Sequence, residues 1–142
     1  MAPSLELVAA ALTLAAILLT YRQQRYWQRR AQEWQERLKA RFDVLRSLVR
    51  DARDTQRAYR DVTAPSQRHA GFVLRCETAL RDHFGAGYVA RVDKRMAEDW
   101  LQPPGLASEE QIFAWYDTER RIAALQELIS ETTDDFMTIS TP

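Results

Sequence analysis

Residues 7–21 read LVAAALTLAAILLTY and contain no charged side chain. A helix of this length spans about 22 Å, whereas the hydrocarbon core of a bilayer is about 30 Å thick. Extending the segment back to Ala2 makes it long enough and includes Glu6, whose carboxylate would reach water near the membrane surface. The stretch therefore predicts an N-terminal transmembrane anchor over residues 1–21.

The residues that follow the apolar segment are typical of a membrane–water interface. Aromatic and basic side chains alternate there, and the first acidic residue after the anchor is Glu33. Because aromatic rings concentrate at the headgroup level and arginines stay on the cytoplasmic side, this flank predicts an outside N-terminus. The C-terminal bulk then lies on the cytoplasmic, matrix or stromal side, and membrane lipid is a predicted partner. The predicted membrane-interface residues are Tyr21, Arg22, Arg25, Tyr26, Trp27, Arg29 and Arg30.

Two other interpretations also fit the length of the apolar segment. A secretory signal peptide has basic residues before its apolar stretch, and no Lys or Arg precedes Arg22. A helix buried in the core of a soluble protein can have the same length. The aromatic and arginine-rich flank favours the membrane anchor over both interpretations.

A long amphipathic stalk helix is predicted over residues 22–64, which contain neither Pro nor Gly. Apolar residues recur there every seven positions in two registers, the pattern of a helix seam that needs a cover. The first register is Ala31, Leu38, Leu45, Ala52 and Tyr59. The second is Trp27, Trp34, Leu48 and Val62, interrupted by Arg41 and Thr55.

The sequence leaves open what covers this seam. The cover is either the downstream helices of the same chain or a partner chain, which is a second copy or another protein subunit. Exposed tryptophan is typical of interfaces, and Trp34 lies on the seam beyond the headgroup zone. The predicted partner-binding residues are Trp34, Leu38, Leu45 and Leu48.

Three shorter helices are predicted to form a small bundle over residues 65–132, followed by a flexible tail over residues 133–142. Pro65 ends the stalk helix, Ser66 is the expected N-cap of a second helix, and Gly85 stops that helix. A third helix is expected over residues 88–101. Its predicted buried face consists of Tyr88, Val92, Met96 and Trp100.

The fourth predicted helix covers residues 109–131, after the break at residues 103–105. Ser108 and Gln111 have the spacing of a capping box. Its predicted core face consists of Ile112, Trp115, Ile122, Leu125 and Ile129. Since good helix formers dominate the whole chain, the predicted fold class is all-α, with the anchor continuing into the stalk and the bundle after it.

The charge distribution argues against nucleic acid as a partner. Residues 22–62 carry twelve basic and six acidic side chains, whereas residues 63–142 carry eight basic and thirteen acidic ones. The formal net charge is zero, whereas a nucleic-acid-binding domain is basic overall. A basic segment beside a membrane and an acidic distal region fit the pattern better.

A search for chemistry centres on three residues of the second helix, His69, Cys76 and His83, which are spaced seven apart. Seven residues advance about 10.5 Å along a helix, so these side chains cannot ligate one metal ion. No phosphate loop, nucleophile elbow or zinc-protease motif occurs in the chain. We therefore predict no catalytic residue, no metal and no cofactor.

The resulting functional prediction is a non-catalytic, single-pass helical subunit or adaptor of a membrane protein complex. The alternative is a membrane-tethered signalling or effector module that senses a ligand or acts on a target through its helical domain. A pocket lined by His69, Cys76 and His83 would favour the alternative. One cysteine allows no intramolecular disulfide.

Overall fold

Four helices make up the regular structure of the part of the chain that the structure describes, in the order that the sequence predicts. The computed structural model describes residues 4–60 and 64–140, the last two by their backbone alone. The helices are α1 (Leu5–Ala58), α2 (Pro65–Phe84), α3 (Ala86–Lys94) and α4 (Glu109–Ser140), and no strand occurs in the described part. The all-α prediction with one long N-terminal helix and three shorter ones is confirmed.

The chain divides into two units, here called the proximal unit (Met1–Arg37) and the distal unit (Leu38–Pro142). Nearly every described residue of the proximal unit is exposed, including Ala31 and Trp27. Ala31 is therefore uncovered in the single chain, and a cover for it from a partner stays a prediction. Val62, the last member of the second register, lies outside the described residues.

The core of the distal unit forms where the seam of α1 meets the other three helices. Leu45 and Ala52 are fully buried, and Leu48 is nearly so. Each large apolar side chain buried in this way contributes about 1.5–3 kcal/mol relative to exposure. The other buried members of the same cluster are Phe72, Cys76, Leu80, Val89, Val92, Ile122, Ala124, Leu125 and Leu128. The seven-residue register is confirmed from Leu38 to Tyr59, since Leu38, Leu45, Ala52 and Tyr59 are all buried.

The start of α2 differs from the sequence prediction. Ala64 is the N-cap and makes no side-chain cap bond, and Pro65 takes the first helical position. Proline suits that position because its fixed φ is helical and it lacks the N–H that would be unpaired there. Ser66 is therefore not the cap, and its hydroxyl donates instead to Glu110 on α4 over 3.0 Å.

Gly85 separates α2 from α3, as the sequence predicts. Its φ of 98° is positive, a backbone conformation that glycine adopts readily and that residues with a side chain rarely adopt. Its N–H donates to the carbonyls of Leu80 and Arg81 over 3.0 and 3.1 Å, which satisfies acceptors in the last turn of α2.

Helix α3 ends at Lys94, seven residues before the predicted end. The guanidinium of Arg120 on α4 donates to the carbonyls of Val92, Asp93 and Arg95 over 2.8, 2.7 and 3.1 Å. A helix that continued would need these acceptors for its own next turn, and Arg95 turns to extended backbone. Met96 is 84% exposed, so its predicted place on a buried face is wrong.

The capping box of α4 is present as predicted. The N–H of Gln111 donates to the Ser108 hydroxyl, and the Ser108 N–H donates to the Gln111 side chain, both over 3.1 Å. The helix continues to Ser140, past its predicted end near residue 131, because no Pro or Gly interrupts residues 132–140. Thr132 supports this extension through a hydroxyl bond of 2.8 Å to the carbonyl of Leu128.

Candidate functional site

The apolar segment of α1 satisfies its few polar groups internally. The hydroxyls of Thr13 and Thr20 donate to the carbonyls of Ala9 and Ala16 over 2.8 and 2.9 Å. Such i−4 bonds let a hydroxyl lie in an apolar surrounding without losing a hydrogen bond. The segment is thus chemically compatible with lipid.

Helix α1 is the one helix among the described residues that is long and apolar enough to cross a membrane. Its most apolar window has a mean hydropathy of 1.7, and none of that window is buried within the protein. By length and composition a signal sequence or the core helix of a soluble protein would pass the same test. A core helix would be covered by the rest of its fold, and this window is not.

The seven predicted membrane-interface residues are all exposed on the proximal unit. The guanidinium of Arg25 lies over the Tyr21 ring at 4.9 Å, and that of Arg30 lies over the Tyr26 ring at 5.4 Å. The Tyr26 ring meets Trp27 edge-on at 5.7 Å. Stacked arginines keep their N–H groups free for phosphate oxygens while the rings supply apolar surface. The arrangement can therefore contact both the headgroups and the upper acyl region.

The four predicted partner-binding residues fall into two different environments. Trp34, in the proximal unit, is 45% exposed. In the distal unit, Leu45 and Leu48 pack on the chain's own helices, and Leu38 is also buried. Of the two covers that the sequence leaves open, the chain itself covers Leu45 and Leu48. A partner-binding role for these four residues stays a prediction, and Trp34 is the member that remains accessible.

A buried ionic network ties α2, α3 and α4 together around Asp117. His69 Nε2 and Arg121 Nε lie 2.7 and 2.9 Å from Asp117 Oδ2, and Arg120 Nη2 donates to Asp117 Oδ1 over 2.6 Å. Arg121 also donates to Asp93 over 2.6 Å. One carboxylate thus accepts from three side chains on two helices, and Arg121 extends the link to the third.

The electrostatics of this network fix the charge of Asp117. Burial alone would raise the pKa of the carboxyl group, but hydrogen bonds from His69, Arg120 and Arg121 outweigh it and hold the pKa well below its usual range. Burial likewise opposes the charge of Arg121, and the bonds to Asp117 and Asp93 raise its pKa. The carboxylate remains ionised and fully engaged, which suits a structural anion better than an acid or base in catalysis.

Cys76 is an unreactive thiol at neutral pH. It is fully buried, and that burial raises the pKa of the thiol to about 11. A thiolate is the nucleophilic form of cysteine, so this side chain is protonated and shielded from reagents. Cys76 is thus a core residue on α2.

The three residues that would favour a ligand-sensing pocket do not come together. Cys76 is sealed in the core, His69 pairs with Asp117, and His83 is exposed. Two surface cavities, of about 610 and 500 Å³, are lined by other residues. Within the part of the chain that the structure describes, no group of three His, Cys, Asp or Glu side chains could hold a metal ion.

Sequence reasoning missed the network around Asp117, although one signal was present. Asp117, Arg120 and Arg121 have the i, i+3, i+4 spacing of a helical ion cluster, and they lie beside the core residue Ile122. Their partners on other helices depend on tertiary structure.

No protein-family model, curated protein or solved structure matches this chain.

Proposed function

We propose that this protein is a single-pass, membrane-anchored helical subunit or adaptor of a membrane protein complex, without catalytic activity of its own. The observation that carries the proposal is the uncovered apolar window at the start of α1. Apolar surface left in water costs about 25 cal/mol per Å², so an uncovered helix of this composition requires lipid or protein around it. Lipid is the surrounding that we favour, because the predicted membrane-interface residues come directly after the apolar segment of α1.

The orientation follows from the charges that flank the anchor. Arg22, Arg25, Arg29 and Arg30 lie directly after the apolar segment, and no basic residue precedes it. The positive flank stays on the cytoplasmic, matrix or stromal side, and the N-terminus faces the opposite side. Each arginine near anionic lipid adds about 1 kcal/mol of attraction.

An interaction role is supported by large apolar side chains that the fold leaves in solvent. In the distal unit, Met96 and Leu101 are 84% and 94% exposed, and Leu74 and Phe113 are also exposed. In the proximal unit, Trp34 is exposed on the stalk. Each of these apolar side chains is accessible to a partner's surface. Among the described residues, the buried side-chain nitrogen and oxygen atoms have hydrogen-bond partners within the chain, except Arg95 Nε.

Purification from native membranes in a mild detergent tests the proposed assembly role. We expect the chain to co-purify with a partner protein or a second copy in a fixed ratio, measured by native mass spectrometry. Trp34→Ala should weaken that complex by about 2–4 kcal/mol, because truncating a tryptophan at the centre of an interface commonly costs that much. The matched control is Gln32→Ala, at an exposed position near Trp34, and this substitution should leave the complex intact.

A lone monomer from native membranes would contradict the assembly role. Equal yields of the complex from the Trp34→Ala and Gln32→Ala variants would show that Trp34 is not part of the interface. The protease resistance of the distal unit should be unchanged in both variants, since both substitutions lie in the proximal unit.

A further inference from the structure

A cavity of about 500 Å³ opens on the distal unit where the C-terminal end of α1 faces α4. Small-molecule sites in proteins commonly measure about 300–1,000 Å³. Among the described residues that line it, three are arginines and none is acidic. The lining residues are Arg53, Gln56, Arg57, Arg60 and Trp115.

One side of the cavity is held rigidly by hydrogen bonds. Arg53 donates to Glu119 over 2.8 Å and to the Gln56 side-chain oxygen over 3.2 Å. Gln56 in turn donates to Glu119 over 2.7 Å and to the carbonyl of Trp115 over 3.3 Å. Glu119 therefore neutralises Arg53, and the Gln56 side chain is fully used. This side of the cavity positions Trp115 and contributes little free charge.

The other two arginines have no strong ion pair among the described residues. Within that part of the chain Arg57 reaches only Asp54, at 3.5 Å between two largely exposed side chains, a pair that contributes little. Arg60 makes no ion pair within the part of the chain that the structure describes. Its stem lies beside Gly105, where an added Cβ would be 3.7 Å from the Arg60 Cδ atom. Arg57 and Arg60 line the same cavity, so an anion that contacted both would offset the repulsion between their charges.

The helix dipole explains why basic residues are favoured at the end of α1, but it does not require a cavity beside them. The cavity also has an aromatic wall. The half-buried Trp115 ring meets Tyr116 edge-on at 5.1 Å, which fixes its orientation. Arginine guanidinium groups bind phosphate oxygens through paired N–H donors, and a tryptophan face stacks on planar rings.

We propose that this cavity binds an organic phosphate with a planar ring, a ligand of the nucleotide class. The phosphate oxygens accept hydrogen bonds from Arg57 and Arg60, and the ring lies against Trp115. Inorganic phosphates would accept hydrogen bonds from the two arginines but would have no ring to lie against Trp115. This site is independent of the anchor and of the proposed partner contact at Trp34.

Calorimetric titration of the full-length chain in a non-ionic detergent with ATP tests the site. The decisive variant is the double substitution Arg57→Gln with Arg60→Gln, both at exposed positions. The matched control is Arg46→Gln with Arg50→Gln, which removes the same charge from two exposed positions of α1 at the other cavity. We expect the control to bind ATP like the unmodified chain, and the decisive variant to bind at least about tenfold more weakly.

Inorganic pyrophosphate separates the two contacts, and we expect it to bind more weakly than ATP. The proposal is overturned if ATP does not bind, or if both double variants bind it equally. Equal affinities for pyrophosphate and ATP would exclude the ring contact and with it the nucleotide class. Circular dichroism of both double variants should match that of the unmodified chain, because neither pair is buried.

Discussion

Replacing Leu45 with Asp should unfold the distal unit and leave the membrane anchor in place. The side chain is fully buried, in the cluster that contains Phe72, Cys76 and Ile122. The substitution removes about 1.5–3 kcal/mol of apolar burial and adds the larger penalty of an unpaired buried charge. Because small domains are stable by only about 5–15 kcal/mol, we expect the native distal unit to be lost.

Limited proteolysis of the membrane-bound protein measures this effect. The matched control is Leu74→Asp, the same change at a position on α2 that is 65% exposed. In the Leu45 variant we expect rapid cleavage within residues 38–140. The Leu74 variant should resist protease as well as the unmodified chain does. Equal resistance in both variants would show that the chain's own helices do not cover the seam.

The same experiment separates the two covers that the sequence leaves open for the stalk. If the Leu45 variant stayed folded as a monomer and lost only its partner, the seam would face another protein. The burial of Leu45 and Leu48 against residues of α2 and α4 leads us to expect unfolding instead.

Asp117→Asn should destabilise the distal unit by about 3–5 kcal/mol, the usual cost of removing one partner from a buried ion cluster. The variant leaves Arg120 and Arg121 close together, and Arg121 is only 7% exposed. Asp93 still pairs with Arg121, which places the expected loss at the lower end. Asp134→Asn, at an exposed position of the same helix, should change stability by less than about 0.5 kcal/mol.

Urea unfolding of the two variants, followed by circular dichroism, gives the comparison. An Asp117→Asn variant as stable as the Asp134→Asn variant would show that the network contributes nothing to the fold.

The pH dependence of stability has a definite sign at the same residue. The pKa of Asp117 is lower in the folded state than in the unfolded state, so its contribution is present above the ordinary carboxyl pKa of about 3.9. That contribution is lost as the pH falls below about 4, when the unfolded chain takes up a proton that the folded chain resists. Asp117→Asn should therefore flatten the acid limb of the stability profile.

The sequence predicted those parts of the fold that depend on local patterns. The seam from Leu38 to Tyr59 followed from heptad spacing, and the ends set by Gly85 and by the Ser108–Gln111 box followed from backbone and capping chemistry. These signals lie within a few residues of the structure that they determine. Local reasoning therefore suffices for them.

The errors arose where a distant residue decides the outcome. Helix α3 ends at Lys94 because Arg120, on another helix, occupies its last carbonyl groups. The positions in the predicted third helix after Lys94 carry no local stop signal before residue 103. Ala31 has the right spacing for the seam and is exposed in the single chain, so whether a partner covers it is a question that the chain alone does not decide.

The candidate sites divide in the same way. The predicted interface residues lie within ten positions of each other, from Tyr21 to Arg30, so the sequence alone could propose them. The Asp117 network and the arginine-lined cavity join residues more than fifty positions apart in places, such as Arg60 and Trp115. Such combinations become visible only when the helices are packed.

Protease protection of an epitope tag placed after Pro142 tests the anchored topology most directly. In sealed vesicles that keep the cellular orientation, the tag should sediment with the membranes and resist added protease until detergent opens them. We expect this result because four arginines follow the proposed anchor and Arg22 is the first basic residue of the given sequence. Cleavage of the tag in intact vesicles would contradict the orientation, and a tag recovered in the soluble fraction would contradict the membrane anchor itself.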